Sequence, residues 1–151
     1  MNKITYLKEN KLIQKENTMI IAVDFDGTVT THNYPDIGED IGAVPILKKL
    51  VEAGHKLILY TMRGTSNPEG RNTLQEAVNW FKNNDIELWG INENPEQHEW
   101  TNSPKIYANL YIDDAGIGTP LIYPQNGRPY VDWATVEKYL MDAGYIGGKN
   151  K

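Results

Sequence analysis

Ile20-Ile21-Ala22-Val23-Asp24-Phe25-Asp26-Gly27-Thr28 runs four apolar residues straight into two carboxylates spaced i, i+2, followed by a glycine and a threonine. A short apolar run closed by a turn signal predicts a strand buried on both faces of a parallel sheet, here over 19–24. Open α/β sheets bind ligands at the carboxyl ends of their strands. Asp24 and Asp26 share one side of an extended chain, because strand side chains alternate. Gly27 accepts backbone angles that other residues resist, so the chain can turn sharply there. Two like charges this close are unfavourable unless a proton or a cation sits between them. Oxygen ligands of this kind suit Mg²⁺. A plain turn would not need the buried strand before it. A calcium loop needs glutamate at its twelfth position, which counted from Asp24 is Pro35.

Outward from this stretch, strand and helix alternate. Residues 1–18 are polar and lysine-rich, and are expected to form an N-terminal appendage. Residues 29–42 read as a loop lying over the strand end. Val44, Leu47, Leu50 and Val51 fall at helical spacing, with Gly54 as a stop. Lys56 to Thr61 predicts a second buried strand, and Leu74, Ala77, Val78 and Phe81 a second amphipathic helix. Ile86 to Ile91 reads as a third strand and residues 92–104 as loop. Leu110-Tyr111-Ile112 leads into Asp113-Asp114 as a fourth strand, and Leu121-Ile122-Tyr123 suggests a short edge strand. Asp132 can cap a last helix carrying Trp133, Val136, Tyr139 and Leu140. The expected organisation is one domain over 19–146 and a frayed tail over 147–151. Short strands with helical crossovers imply a parallel sheet with helices on both faces.

Composition narrows the function. A length of 151 residues suits one domain with a real core. A net charge of −5 and a pI near 5.2 argue against a general nucleic-acid or membrane-surface binder. The absence of cysteine excludes disulfides, thiol catalysis and cysteine-type zinc sites. No apolar run approaches a membrane span, and Met1 to Lys8 lacks the apolar core of a signal peptide, so a cytoplasmic protein is expected.

Three predicted strands end in polar residues: Asp24 and Asp26, Thr61, and Asp113 with Asp114. In a parallel sheet these ends share one edge, and Lys105 precedes the fourth strand. Each part has a place in phosphoryl transfer. One carboxylate can attack phosphorus, and a second can protonate the leaving group and later activate water. A hydroxyl can hold phosphoryl oxygens, and an ammonium and Mg²⁺ can offset their charge.

In this order the residues resemble the haloacid dehalogenase (HAD) superfamily, and in particular its small capless hydrolases of bacteria and phages. Asp24-Phe25-Asp26-Gly27-Thr28 resembles the first motif, Thr61 the second, Lys105 the third and Asp113-Asp114 the fourth. The resemblance covers about residues 19–140; the first motif is specific, and the second and third mean little outside this order. It implies an α/β, three-layer Rossmannoid fold with a mainly parallel central sheet and no cap domain. It implies Mg²⁺ as cofactor and a phosphate monoester as substrate, hydrolysed through an aspartyl-phosphate. Asp24 would be the nucleophile and Asp26 the general acid/base, with the Asp26 backbone carbonyl on the metal. Thr61 and Lys105 would hold and neutralise the phosphoryl group, with Gly27 and Arg63 also on the substrate. Asp114 would ligate the metal, with Asp113 beside it or behind it. Tyr34, Arg63, His98 and Trp100 are further candidates for reading the rest of a substrate.

Two other classes compete. A receiver domain combines acids, a threonine and a lysine, but there the lysine comes last, whereas Lys105 precedes the final acid pair. A non-catalytic phospho-binding module would not need the complete set. A phosphotransferase would share the same aspartyl-phosphate and differ only in the acceptor. No P-loop pattern is present, which excludes a Walker-type kinase. The expected partner is a phosphorylated substrate, a homo-oligomer is left open, and neither membrane nor nucleic acid is expected.

Overall fold

Strand β1 (Ile20–Val23) lies between β2 (Lys56–Leu59) and β4 (Leu110–Ile112) in a four-stranded parallel sheet whose far edge is β3 (Gly90–Ile91), in the order β3-β2-β1-β4. The structure is a computed structural model and describes residues 18–147; the expected N-terminal appendage, apart from Thr18, and all of the expected tail but Gly147 lie outside that range. The remaining elements are α1 (Ala43–Glu52), α2 (Thr73–Asn83), a short 3₁₀ helix (Gln97–Glu99), β5 (Leu121–Ile122), β6 (Tyr130–Val131) and α3 (Trp133–Asp142). This is the expected α/β architecture, with a parallel central sheet between two covering layers.

Chain direction decides what covers each face. The path steps from β1 to β2 to β3 in one direction through α1 and α2, and right-handed crossovers put both helices on one face. The return from β3 to β4 runs the other way, so residues 92–109 cross the opposite face. The burial pattern agrees. Ile21, Val23, Leu57, Leu59 and Ile112 join Leu47 and Leu50 of α1, Phe81 of α2, and Trp133, Val136 and Leu140 of α3 in one apolar cluster. Ala22 and Ile58 alternate to the other face and are also buried. That face carries, among the described residues, only the 3₁₀ helix and irregular chain instead of the expected second layer of helices, because the prolines and turn residues of 92–104 hold no helical period. The passage is stapled from within. The buried Gln97 amide donates to the carbonyls of Ser103 and Lys105 and accepts the Tyr107 N–H, while the Asn94 amide donates to the Tyr107 carbonyl.

Two elements differ from expectation. The third strand is confined to Gly90–Ile91. Asp85 has a positive φ of 55°, and the Ile86 N–H turns back to the Phe81 carbonyl, so this stretch first closes off α2. Leu121–Ile122 is not an edge of the main sheet. It pairs antiparallel with Tyr130–Val131 around the Pro124-to-Pro129 turn, and the Val131 N–H donates to the Gly27 carbonyl, so this hairpin rests on the first acidic turn. The Asp132 cap of α3 is as read, its side chain accepting from the Thr135 N–H.

Candidate active site

The ladder continues one step past the ends of β1, β2 and β4. The Asp24 N–H donates to the Ile112 carbonyl at 3.0 Å and the Tyr60 N–H to the Val23 carbonyl at 2.8 Å. Asp24 therefore stands in one row with Asp113 on one side and Tyr60 on the other, following the register Val23↔Ile112 and Val23↔Leu59. Ligand oxygens of Asp24, Asp113 and Asp114 lie within 4.8 Å of one another. The half-buried Asp24 carboxyl is pushed up to about 7, chiefly by burial, and further by Asp113 and by contact with Asp114. The Phe25 N–H and the Thr28 hydroxyl pull partly the other way.

Thr28 and His32 hold this cluster in place. The buried Thr28 hydroxyl lies 3.0 Å from Asp24 Oδ2 and 3.3 Å from Asp114 Oδ1, and it accepts the Asp114 N–H at 3.1 Å. The Thr28 carbonyl accepts the Trp133 indole N–H at 2.7 Å, which anchors the turn to α3. His32 Nε2 lies 3.0 Å from Asp114 Oδ2. Its ring packs on Gly27, where a Cβ would meet the imidazole at 2.0 Å, and φ at Gly27 is +77°. Glycine is thus required there on two counts.

Asp26 points elsewhere. Its two oxygens accept from Arg63 Nε and Nη2, both at 2.8 Å, in a bidentate pair. The other Arg63 hydrogens go to the carbonyls of Pro35, Asp36 and Thr73. Its guanidinium lies between the rings of Phe25 and Tyr34, 4.8 Å and 5.2 Å from their centres. Arg63 is the largest departure from the sequence reading. All five of its donors are engaged and its side chain is buried, so it braces Asp26 and presents nothing to a substrate. Tyr34 lies against the same guanidinium but is more than half exposed, and His98 sits exposed on the 3₁₀ helix.

Thr61 follows β2 at the same edge. Its N–H donates to Asn92 Oδ1 at 2.8 Å and its hydroxyl oxygen accepts the Arg63 N–H at 3.1 Å, leaving the hydroxyl hydrogen to donate outward. Lys105 is exposed. Its ammonium has no ion pair or hydrogen bond among the described residues, and it lines a cavity of about 410 Å³ with Trp100, Tyr107 and Tyr111. The structure thus gathers Asp24, Asp113 and Asp114, with Thr28 and His32 added. It fixes Asp26 next to them in sequence but turned to Arg63, and it leaves Lys105 at the cavity. Thr28 stood inside the first motif and was legible there; His32 had no signal beyond a histidine in the loop after it.

No protein-family model matches the chain, and no curated protein is similar to it. A solved structure does match. The chain is 37% identical to a conserved protein from Bacteroides thetaiotaomicron, with a TM-score of 0.65, over 83% of this chain and 92% of that one. The chain belongs to the family of that protein. Among the described residues, no helix is long and apolar enough to cross a membrane.

Proposed function

We propose that the chain is a Mg²⁺-dependent phosphatase of the HAD type, acting on a phosphate monoester through an aspartyl-phosphate on Asp24. The observation that carries this reading is the row of Asp24 and Asp113 with Asp114 against it, at the carboxyl edge of a parallel sheet. An Asp24 carboxyl pushed to about 7 is substantially protonated at neutral pH, and a protonated carboxyl is a poor nucleophile. A divalent cation held among these oxygens would relieve the repulsion and keep Asp24 ionised. The donor set is all oxygen, which fits Mg²⁺. Asp24, with Asp113 or Asp114, would hold the ion, and the bound ion would offset charge on the transferring phosphoryl group.

The chain's own residues supply the rest. An Asp24 oxygen bonds to phosphorus as the ester P–O bond breaks. The leaving oxygen takes a proton from Asp26. Water then attacks the phosphorus, the Asp24–P bond breaks, and Asp26 takes the water's proton. Asp26 is turned to Arg63 in the structure, so both transfers require its carboxyl to swing out of that bidentate pair toward the leaving oxygen, taking up a proton as it does so. The Thr61 hydroxyl donates to a phosphoryl oxygen. Lys105 would neutralise charge from the cavity side. Turnover of phosphate esters should vanish in EDTA and return with Mg²⁺; full activity in metal-free buffer would overturn the reading.

A further inference from the structure

The sheet face toward which Asp24 and Asp113 alternate carries a set of exposed aromatic rings. Tyr60 stands beside Asp24 in the same row, and Tyr111 lies two residues before Asp113 on β4. Two residues of parallel strand span roughly 6–7 Å. The rings of Tyr60 and Tyr111 are 6.5 Å apart, centre to centre. Tyr111 also lines the cavity of about 410 Å³ that holds Lys105, Tyr107 and Trp100. Trp100 and Tyr107 meet edge to face at 5.6 Å. These four rings are 39–63% exposed, with Trp100 the most open. A track of open rings therefore runs from the row of Asp24 to an unpaired ammonium. Its cavity falls within the size range of small-molecule sites, about 300–1,000 Å³.

From this we infer that the face binds the leaving group of the substrate, and that this group carries a planar base: the substrate class is a nucleoside monophosphate. The inference rests on the phosphatase reading only for what happens at Asp24. The sugar of a nucleotide separates phosphate from base by a distance comparable with the step from the Asp24 row to the Tyr111 row. A base would stack on rings that tolerate any π-face, and Lys105 adds positive charge in an otherwise acidic protein.

Binding is tested in the Asp24→Asn background, which prevents hydrolysis, by calorimetric titration with AMP, ribose 5-phosphate and phenyl phosphate in Mg²⁺. AMP should bind at least about tenfold tighter than ribose 5-phosphate, the contribution expected of one stacked base. Adding Trp100→Ala or Tyr60→Ala should shrink that advantage and leave ribose 5-phosphate unchanged. Trp100 is 63% exposed, so its removal should spare the fold, which circular dichroism checks. Equal affinities for AMP and ribose 5-phosphate, or equal weakening of both by Trp100→Ala, would overturn the inference. A ring-dependent gain for phenyl phosphate but not AMP would also overturn it. The wild type separates the two proposals. If AMP and ribose 5-phosphate are hydrolysed with equal kcat/KM, the phosphatase reading stands alone. If AMP binds with its base advantage and nothing is hydrolysed, the ligand inference stands alone.

Discussion

Asp24 is costly to the empty protein. Its carboxyl rises from 3.8 in the unfolded chain to about 7 in the fold, so the folded state holds the proton more tightly. Stability from this source is complete below about pH 4 and is lost as pH climbs through 7. EDTA-treated protein should therefore melt at a lower temperature at pH 8 than at pH 5. Asp24→Asn should flatten that difference and be the more stable protein at pH 8, by up to roughly 4 kcal/mol. Asp26 has a different fate. If the proposed phosphatase mechanism holds, Asp26→Asn keeps the nucleophile but loses the base for the second step, which is worth roughly 10²–10⁴-fold. With an aryl phosphate, whose leaving group needs no proton, this variant should accumulate a phosphoryl group detectable by intact mass after acid quenching. Asp24→Asn should show none. Phosphoprotein on Asp24→Asn instead would reverse the two assignments.

Among the elements, the loop over residues 29–42 is held from beyond β2 by Arg63, with Arg71 also donating to the Asp36 carboxylate at 2.8 Å. Arg63 ties Asp26 at the first turn, Pro35 and Asp36 in the loop, and Thr73 at the start of α2. Arg63→Ala would leave a half-buried carboxylate and three carbonyls without partners, so urea denaturation should show a loss of about 3–5 kcal/mol. Arg63→Lys should restore little, since an ammonium cannot make the bidentate pair. Alternation of apolar runs revealed β1, β2, β4 and the three helices in the sequence, because burial on both sheet faces writes itself into contiguous residues. Arg63 was misread for the converse reason. An arginine two residues past a predicted strand looks free until the carbonyls that satisfy it arrive from two other segments. The β5–β6 hairpin was half legible, since Tyr130–Val131 is too short to show a period. Asp24, Asp113 and Asp114 were legible because they close apolar runs, whereas the expected pairing of Asp24 with Asp26 failed because Arg63 turns Asp26 away.

Over the whole molecule, the two ends of the described chain are joined through His55. Its Nδ1 accepts the Met19 N–H at 3.1 Å, which leaves Nε2 to donate to the Tyr145 carbonyl at 2.6 Å, and the ring is buried. The start of the central strand and the end of α3 thus share one imidazole. His55→Ala should lower unfolding free energy by roughly 1–3 kcal/mol, read by denaturant titration, without altering the acid cluster. The passage 92–109 is joined quite differently. Gln97 and Asn94 bind chain within the same passage, so its shape is largely self-contained. It behaves as a cassette laid across a finished sheet. It brings Trp100, Tyr107 and Lys105 to that face as one preassembled piece, while the carboxylates are placed by the strands alone. The two halves of this sheet edge are therefore built by separate stretches of chain, and a change in one need not disturb the other.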